Sequence, residues 1–343
     1  MFEQAFRLFH TDVAVDFGSS TIRIFIQGHG LVLEEATIVT TRNKGQQREF
    51  VALGNDAKVY VGRTPKSMET HFPIQGSIIK DPDLALSLCR SVLQKVLGKS
   101  MLIRPKLLWI MPHGISPQAK EDYLRILYTV GNRESVYVDS LICSGIGCKL
   151  PVNEPLGSLV LDIGHGSAKL GLLSLSGITA HGQTRFAGES LSFAIRKWLE
   201  KKDLAIGPVM ATTIKEAIAE ADTPNPQRTI RFSCRRISNG MAEETNLSSA
   251  DIFEALQYPL NSILSMIKRT LANITPELAS DIWEQGLMLC GGSSQLNGID
   301  DFFVSHLKIP TFIIEQPSLS NIEGGGALLE DSNLLDWVGE GNE

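Results

Sequence analysis

The chain has 343 residues, of which 43% are hydrophobic and 20% charged, and a formal net charge of −6. That length exceeds one comfortable core and suits two domains or lobes, while the acidic balance and the lack of a long basic run argue against a nucleic-acid partner. Five cysteines, odd in number and scattered (Cys89, Cys143, Cys148, Cys234, Cys290), are expected to be reduced core thiols of a cytoplasmic protein rather than disulfides or metal ligands. No apolar run approaches the ~20 residues of a membrane span. The N-terminal residues lack the order of a signal peptide, so a protein neither secreted nor integral to a membrane is expected.

Phe2, Phe6 and Phe9 fall at i, i+4 and i+7 and predict a short amphipathic helix, which could lie in a membrane interface or dock on its own domain. Next comes Val13-Ala14-Val15-Asp16-Phe17-Gly18-Ser19-Ser20, a buried strand ending in Asp and a small-residue turn. The alternation of Ile22, Ile24 and Ile26 then predicts a second strand. Residues 31–39, 50–53 and 59–61 read as strands of a small β-rich insertion, and 84–97 as a helix stopped by Gly98. Met101, Leu102 and Ile103, flanked by Lys99, Arg104 and Lys106, form an apolar loop that either packs beneath itself or touches a bilayer or partner. A strand over 107–111, a helix over 117–130, a strand over 136–138 and a Gly-rich helix over 141–147 follow.

Val160-Leu161-Asp162-Ile163-Gly164-His165-Gly166-Ser167 then repeats the strand, the Asp and the turn, with Leu170 and Leu172 alternating behind it. Helices are expected over 190–201 and 208–221, and further strands around 229–232. A long helical segment over 248–271 is expected to be interrupted by Pro259. A strand over 287–290 runs into Gly291-Gly292-Ser293-Ser294, with a helix around 296–307.

Turns that accept triphosphate need backbone N–H donors that can approach closely, hence glycine and small hydroxyl residues. Gly18, Ser19, Ser20 and Thr21 would hold one side of the phosphates, and Gly164, His165, Gly166 and Ser167 the other. Asp16 and Asp162 would hold Mg²⁺, largely through water. Gly291, Gly292, Ser293 and Ser294 offer a bare turn for adenosine. One Asp-x-Gly hairpin alone is weak evidence, because Asp and Gly are common turn residues; three such pieces in this order are specific.

From Asp12 to about Leu329 the chain resembles the superfamily of ATPases that includes actin, the heat-shock chaperones and the sugar kinases. Within it, the chain resembles the MreB family. The matching pieces are residues 25–33, 61–65, 147–157 (GCKLPVNEPLG), 254–260, 275–282 and the glycines Gly324-Gly325-Gly326. Several lie outside any nucleotide contact, so a generic kinase would have no reason to share them. The resemblance implies an α/β, actin-like (ribonuclease H-like) duplicated two-lobe fold with four subdomains and an interlobe nucleotide cleft. Residues 1–10 would be the amphipathic segment; 11–32 and 75–150 subdomain IA, with 325–343 returning to it; 33–74 subdomain IB; 151–185 and 255–324 subdomain IIA; and 186–254 subdomain IIB. It further implies ATP and Mg²⁺ as ligands, Lys215 and Glu216 near the nucleotide, and self-assembly into filaments under the inner membrane. Transmembrane proteins of the wall-elongation machinery would be partners. Phe2, Phe6, Phe9, Met101, Leu102 and Ile103 fall where family members contact the membrane, and two weak anchors together give useful avidity.

The chain also departs from the family pattern. Ser140 stands where the family places its water-orienting glutamate, with Asp139 one position off. His165 replaces a glycine, Ser167-Ala168-Lys169 replaces Thr-Thr-Glu, and Ser293-Ser294 replaces Gly-Ala. His165 either binds phosphate as an imidazolium or crowds the turn. A serine is a poor general base, so nucleotide binding with weak or absent hydrolysis is expected. A non-polymerising actin-like membrane adaptor, or a small-molecule kinase with Asp139 as its base, are the competing readings.

Overall fold

The isoleucine alternation is realised as expected: β1 (Val13–Phe17) and β2 (Thr21–Ile26) form an antiparallel hairpin in which Ile22, Ile24 and Ile26 are buried. The protein is described here by a computed structural model covering residues 12–44, 47–98 and 104–340. Phe2, Phe6, Phe9, Met101, Leu102 and Ile103 lie outside the described residues. The chain divides into two compact units, one of residues 1–156, 173–178 and 319–343, the other of 157–172 and 179–318.

In the first unit, β3 (Gly30–Ala36) extends the hairpin, and β4 (Val39–Lys44), β5 (Gln47–Leu53) and β6 (Met68–His71) form a separate sheet in the order β5-β4-β6. A two-stranded pair, β7 (Ile74–Gln75) and β8 (Ile78–Ile79), leads into helix α1 (Pro82–Leu97), whose first turn is capped by the Asp81 carboxylate accepting from Leu84 N. Then come β9 (Leu107–Met111), α2 (Pro117–Val130), β10 (Val136–Asp139) and α3 (Ser140–Gly147). The main sheet has the order β10-β9-β1-β2-β3, with β1, β9 and β10 parallel. All five residues of β9 are buried, as expected of a central parallel strand covered on both faces. The Trp109 ring packs edge-on between Phe17 and Tyr123.

The second unit repeats this plan. Its sheet has β11 (Ser158–Ile163) beside β12 (Ala168–Ser174) and β13 (Gly177–Thr184), the tip of that last hairpin grouping with the first unit. Helix α4 (Gly188–Lys201), strand β14 (Leu204–Ala205) and helix α5 (Pro208–Ile218) precede β15 (Thr229–Arg236) and β16 (Ala242–Ser248), which join β14 in a small sheet. Helices α6 (Ser249–Leu271) and α7 (Pro276–Gln285), strand β17 (Leu287–Cys290), helix α8 (Ile299–Leu307) and strand β18 (Thr311–Ile313) complete it. Its sheet order is β13-β12-β11-β17-β18, with β11, β17 and β18 parallel. Read outward from the Asp-bearing strand, the two main sheets have the same topology. The chain finally returns to the first unit with α9 (Ser320–Glu330) and α10 (Ser332–Glu340).

Two local expectations are corrected. Residues 59–61 are not a strand: Gly54–Tyr60 is a 3₁₀ turn. Gly54 takes a φ of 67°, and the adjacent Asn55 N donates to the buried Glu35 carboxylate at 2.5 Å. Pro259 does not interrupt α6, which runs through it with the ring buried. Side chains add donors to carbonyls on either side of the lost N–H: Gln257 Nε2 to Phe253 O, Asn261 Nδ2 to Gln257 O and Ser262 Oγ to Tyr258 O. The five cysteines are buried free thiols as expected, and burial holds Cys89 up at about 12. No helix among the described residues is long and apolar enough to cross a membrane.

Candidate functional site

The two hairpins close in the same way. Gly18 N donates to Thr21 O at 3.1 Å, and Gly164 N donates to Ser167 O at 3.0 Å. A Cβ on Gly18 would lie 2.9 Å from that Thr21 oxygen, so the turn requires a glycine there. Behind the first turn, Thr37 donates through Oγ1 to Gly18 O at 2.7 Å and through N to Ser20 O at 2.9 Å. Drawing the carbonyls back in this way suits a turn meant for an anion, because acceptor oxygens would repel it.

Asp16 lies directly opposite Arg23 across β1 and β2, with a guanidinium nitrogen 3.8 Å from its carboxylate. Arg23 also donates to Glu34 at 2.7 Å and is held between the two acids. At the same end of the sheet, the Asp139 carboxylate caps α3 by accepting from Leu141 N at 2.8 Å and meets His113 Nδ1 at 2.7 Å. Ser140 is buried, and its hydroxyl oxygen accepts from His113 N at 3.1 Å.

In the second unit, two chain segments donate to the turn at 164–167. Gly188 N and Ser293 Oγ both donate to Gly164 O, at 3.1 and 2.8 Å, and Glu189 N donates to His165 O at 2.7 Å. Lys215 Nζ, on α5, reaches Gly188 O at 3.3 Å, while its neighbour Glu216 is exposed. Parallel pairing sets Asp162 beside Cys290, and Gly291, with a φ of 82°, passes so close that a Cβ would meet the Asp162 carboxylate and lie 2.5 Å from Ile163 O. Ser294 spends its hydroxyl on Gly291 O at 2.7 Å, whereas Gly292 is exposed. Sequence reading passed over Thr37, Arg23 and His113. Arg23 was discoverable, since it and Lys169 each stand seven residues after the hairpin Asp.

Burial, reinforced by the Lys215 charge, drives the His165 imidazole down to about 4. Of the two roles open for His165, this favours a neutral ring over an imidazolium near neutral pH. The folded value lies below the ordinary 6.5, so the unfolded chain binds the proton more readily over the interval between them. Stability from the neutral ring is therefore complete above about pH 6.5 and is lost as pH falls toward 4, by up to about 3 kcal/mol. Urea midpoints measured across that window should fall more steeply in the parent than in His165→Asn; parallel curves would contradict the assignment. Burial likewise lowers the Lys215 ammonium, with Glu216 opposing.

Each unit thus presents one carboxylate near a strand end beside a glycine-closed turn, a type of oxygen donor that suits Mg²⁺.

Two units of matching topology, each with an Asp-bearing strand and a glycine-closed hairpin, define the actin-like class of duplicated α/β proteins. Solved structures agree. The structure of MreB5 from Spiroplasma citri bound to AMPPNP superposes with a TM-score of 0.89 at 24% identity, covering 97% of this chain and 99% of that one. MamK in its double helical filament gives 0.77 at 16% identity over 94% and 99%. The chain belongs to the MreB/Mbl protein family, whose profile matches residues 10–336. The cell shape-determining protein MreB of Escherichia coli K12 is 31% identical over 327 residues, 94% of either chain, and that of Pasteurella multocida 30% over 336 residues, 96% of either.

Proposed function

We propose that this chain is an ATP-binding cytoskeletal protein that assembles into filaments at the inner membrane and acts in cell shape and wall synthesis. The observation that carries the reading is the identical closure of the two hairpins beside Asp16 and Asp162, with Gly291 packed onto the second Asp. Family membership supports it, as do the AMPPNP-bound and filamentous states of the structural neighbours. Gly18, Ser19, Ser20 and Thr21, together with Gly164, Gly166 and Ser167, supply phosphate donors. Asp16 and Asp162 hold Mg²⁺, and Lys215, Glu216, Gly291 and Ser293 flank the nucleoside. Phe2, Phe6, Phe9, Met101, Leu102 and Ile103 make the membrane contact, and transmembrane proteins of wall elongation are the partners.

The test combines binding of a fluorescent ATP analogue with Mg²⁺, pelleting and electron microscopy with ATP, ADP or no nucleotide, and co-sedimentation with anionic liposomes. Asp162→Asn should weaken Mg·ATP binding about tenfold or more, since a lost charge-assisted contact costs roughly 1.5–3 kcal/mol. Filaments should require nucleotide. Changing Met101, Leu102 and Ile103 to Ser should release the protein from liposomes. Retained ATP binding with no filaments in any nucleotide state would instead favour the adaptor reading.

A further inference from the structure

We propose that Lys169 is a phosphate-binding residue of the second unit, whose ammonium takes up part of the nucleotide's negative charge and makes binding less dependent on Mg²⁺. This rests on the reading of the turn at 164–167 as a phosphate site.

Hairpin register places the lysine. Gly164 N closes onto Ser167 O, so, counting outward from that pair along β11 and β12, Ile163 stands opposite Ala168 and Asp162 opposite Lys169. The first hairpin closes alike, and there the pairing of Asp16 with Arg23 sets a guanidinium nitrogen 3.8 Å from the carboxylate. Directly opposed residues of an antiparallel pair share a face and stand about 5 Å apart. Leu161, Ile163, Ala168 and Leu170 belong to the apolar core of the second unit. Alternation therefore puts Asp162 and Lys169 together on the other face, next to the turn.

Burial and pairing set Lys169 apart. Arg23, at the matching place in the first unit, is held between Asp16 and Glu34. Lys169 is only 7% exposed, yet among the described residues it makes no hydrogen bond or ion pair. Its Nζ is not among the enclosed polar atoms that lack a partner, so the tip is open to a ligand. An ammonium withdrawn from water without a counter-charge is costly, and an anion docked against it relieves that cost.

Charge then selects the ligand. Two acids opposite each other, as in the Thr-Thr-Glu pattern that Ser167-Ala168-Lys169 replaces, would attract a divalent cation strongly. Asp162 opposite Lys169 is a neutral pair instead, which attracts the metal less and offers a phosphate oxygen a direct partner. An ammonium with three rotatable donors suits that oxygen as a point charge. Lys215, the other cation near this turn, already donates to Gly188 O. Asp162 still offers Mg²⁺ an oxygen, so the metal strengthens binding without being required for it.

The competing role is structural, a lysine stem that fills space beside the hairpin. Full-length protein is titrated with a fluorescent ATP analogue in excess Mg²⁺ and in EDTA, and urea unfolding is followed without nucleotide. The parent should bind in both buffers, with affinities within about tenfold of each other. Lys169→Met, close in length but uncharged, should lose about tenfold or more in EDTA and less in Mg²⁺. The same variant should unfold at a higher urea concentration than the parent, because the unpaired buried ammonium is gone. Lys169→Arg should keep binding in EDTA, and Lys169→Glu should bind only with Mg²⁺. Parent-like binding by Lys169→Met in EDTA, a lower urea midpoint for that variant, or a parent that binds with Mg²⁺ and not in EDTA would each overturn the inference. A parent that binds nucleotide in neither buffer would instead overturn the functional reading of the turn.

Discussion

Gly324→Leu is expected to unfold the first unit or leave it barely stable. Helices α3 and α9 cross at backbone contact: a Cβ on Gly324 would fall on the Cys143 carbonyl, and a Cβ on Gly147 on the Ser320 carbonyl. The two contacts are reciprocal, four residues apart on each helix, with Ser144 Oγ donating to Asn321 Oδ1 at 2.6 Å between them. The next two glycines face other neighbours, Gly325 toward Ile110 and Ala14, and Gly326 toward Phe25. Turning about 100° per residue, three successive positions abut α3, the middle of the sheet and β2, which is why none can carry a side chain.

The magnitudes favour disruption. Replacing glycine gains about 1 kcal/mol of helix propensity. Against this, overpacking costs about 1–3 kcal/mol where neighbours can yield, and a backbone carbonyl yields less. Separating the helices adds the loss of the Ser144 hydrogen bond, about 1 kcal/mol, and of tight packing along β1, β2 and β9. A net cost near 4 kcal/mol would consume much of the 5–15 kcal/mol typical of a domain. Urea unfolding followed by circular dichroism should show a large drop in midpoint; a midpoint matching the parent would mean that the helices do not touch.

Gly291→Ala should abolish nucleotide binding, whereas Gly292→Ala should leave it nearly intact. At Gly291 a methyl group meets three obstacles: the left-handed φ of 82°, the Asp162 carboxylate, and the Ile163 carbonyl 2.5 Å away. The positive φ alone costs about 1 kcal/mol. The contact with Ile163 O is with backbone of the central strand β11 and cannot be relieved by a rotamer change. The remaining escape moves the turn, and with it Asp162 and the Ser293 hydroxyl on Gly164 O. At Gly292 the nearest atom to an added Cβ is 3.8 Å away, on Ser318. Gly291→Ala should cost about 2–4 kcal/mol of stability and at least 10²-fold in ATP affinity. Equal affinities for the two alanine variants would sink the proposed role of this turn.

Hairpins and the Gly98 stop of α1 were legible because their determinants are local. Gly18 and Gly164 close turns onto residues three positions away. Periodicity likewise located α2 over the residues expected. Pro259 misled because the sequence shows a missing donor but not that the ring is buried within the long helix α6. The residues 59–61 misled because a short apolar pair does not reveal the Glu35 carboxylate that organises the turn before it.

The amino-acid sequence by itself determined the duplicated strand-Asp-turn plan and the family, because each is written in residue type and short spacing. Tertiary structure alone decided what surrounds those motifs. His113 and Asp139 are 26 residues apart and meet only because β9 and β10 are parallel neighbours joined through α2. Ser293 reaches Gly164 across 129 residues, and Gly324 meets Cys143 because the chain returns to the first unit after completing the second. Such contacts arise from parallel crossovers and from where the chain re-enters a unit. No local propensity encodes them: their energy comes from burying whole faces of sheet and helix, and the side chains that meet at the strand ends follow from that packing.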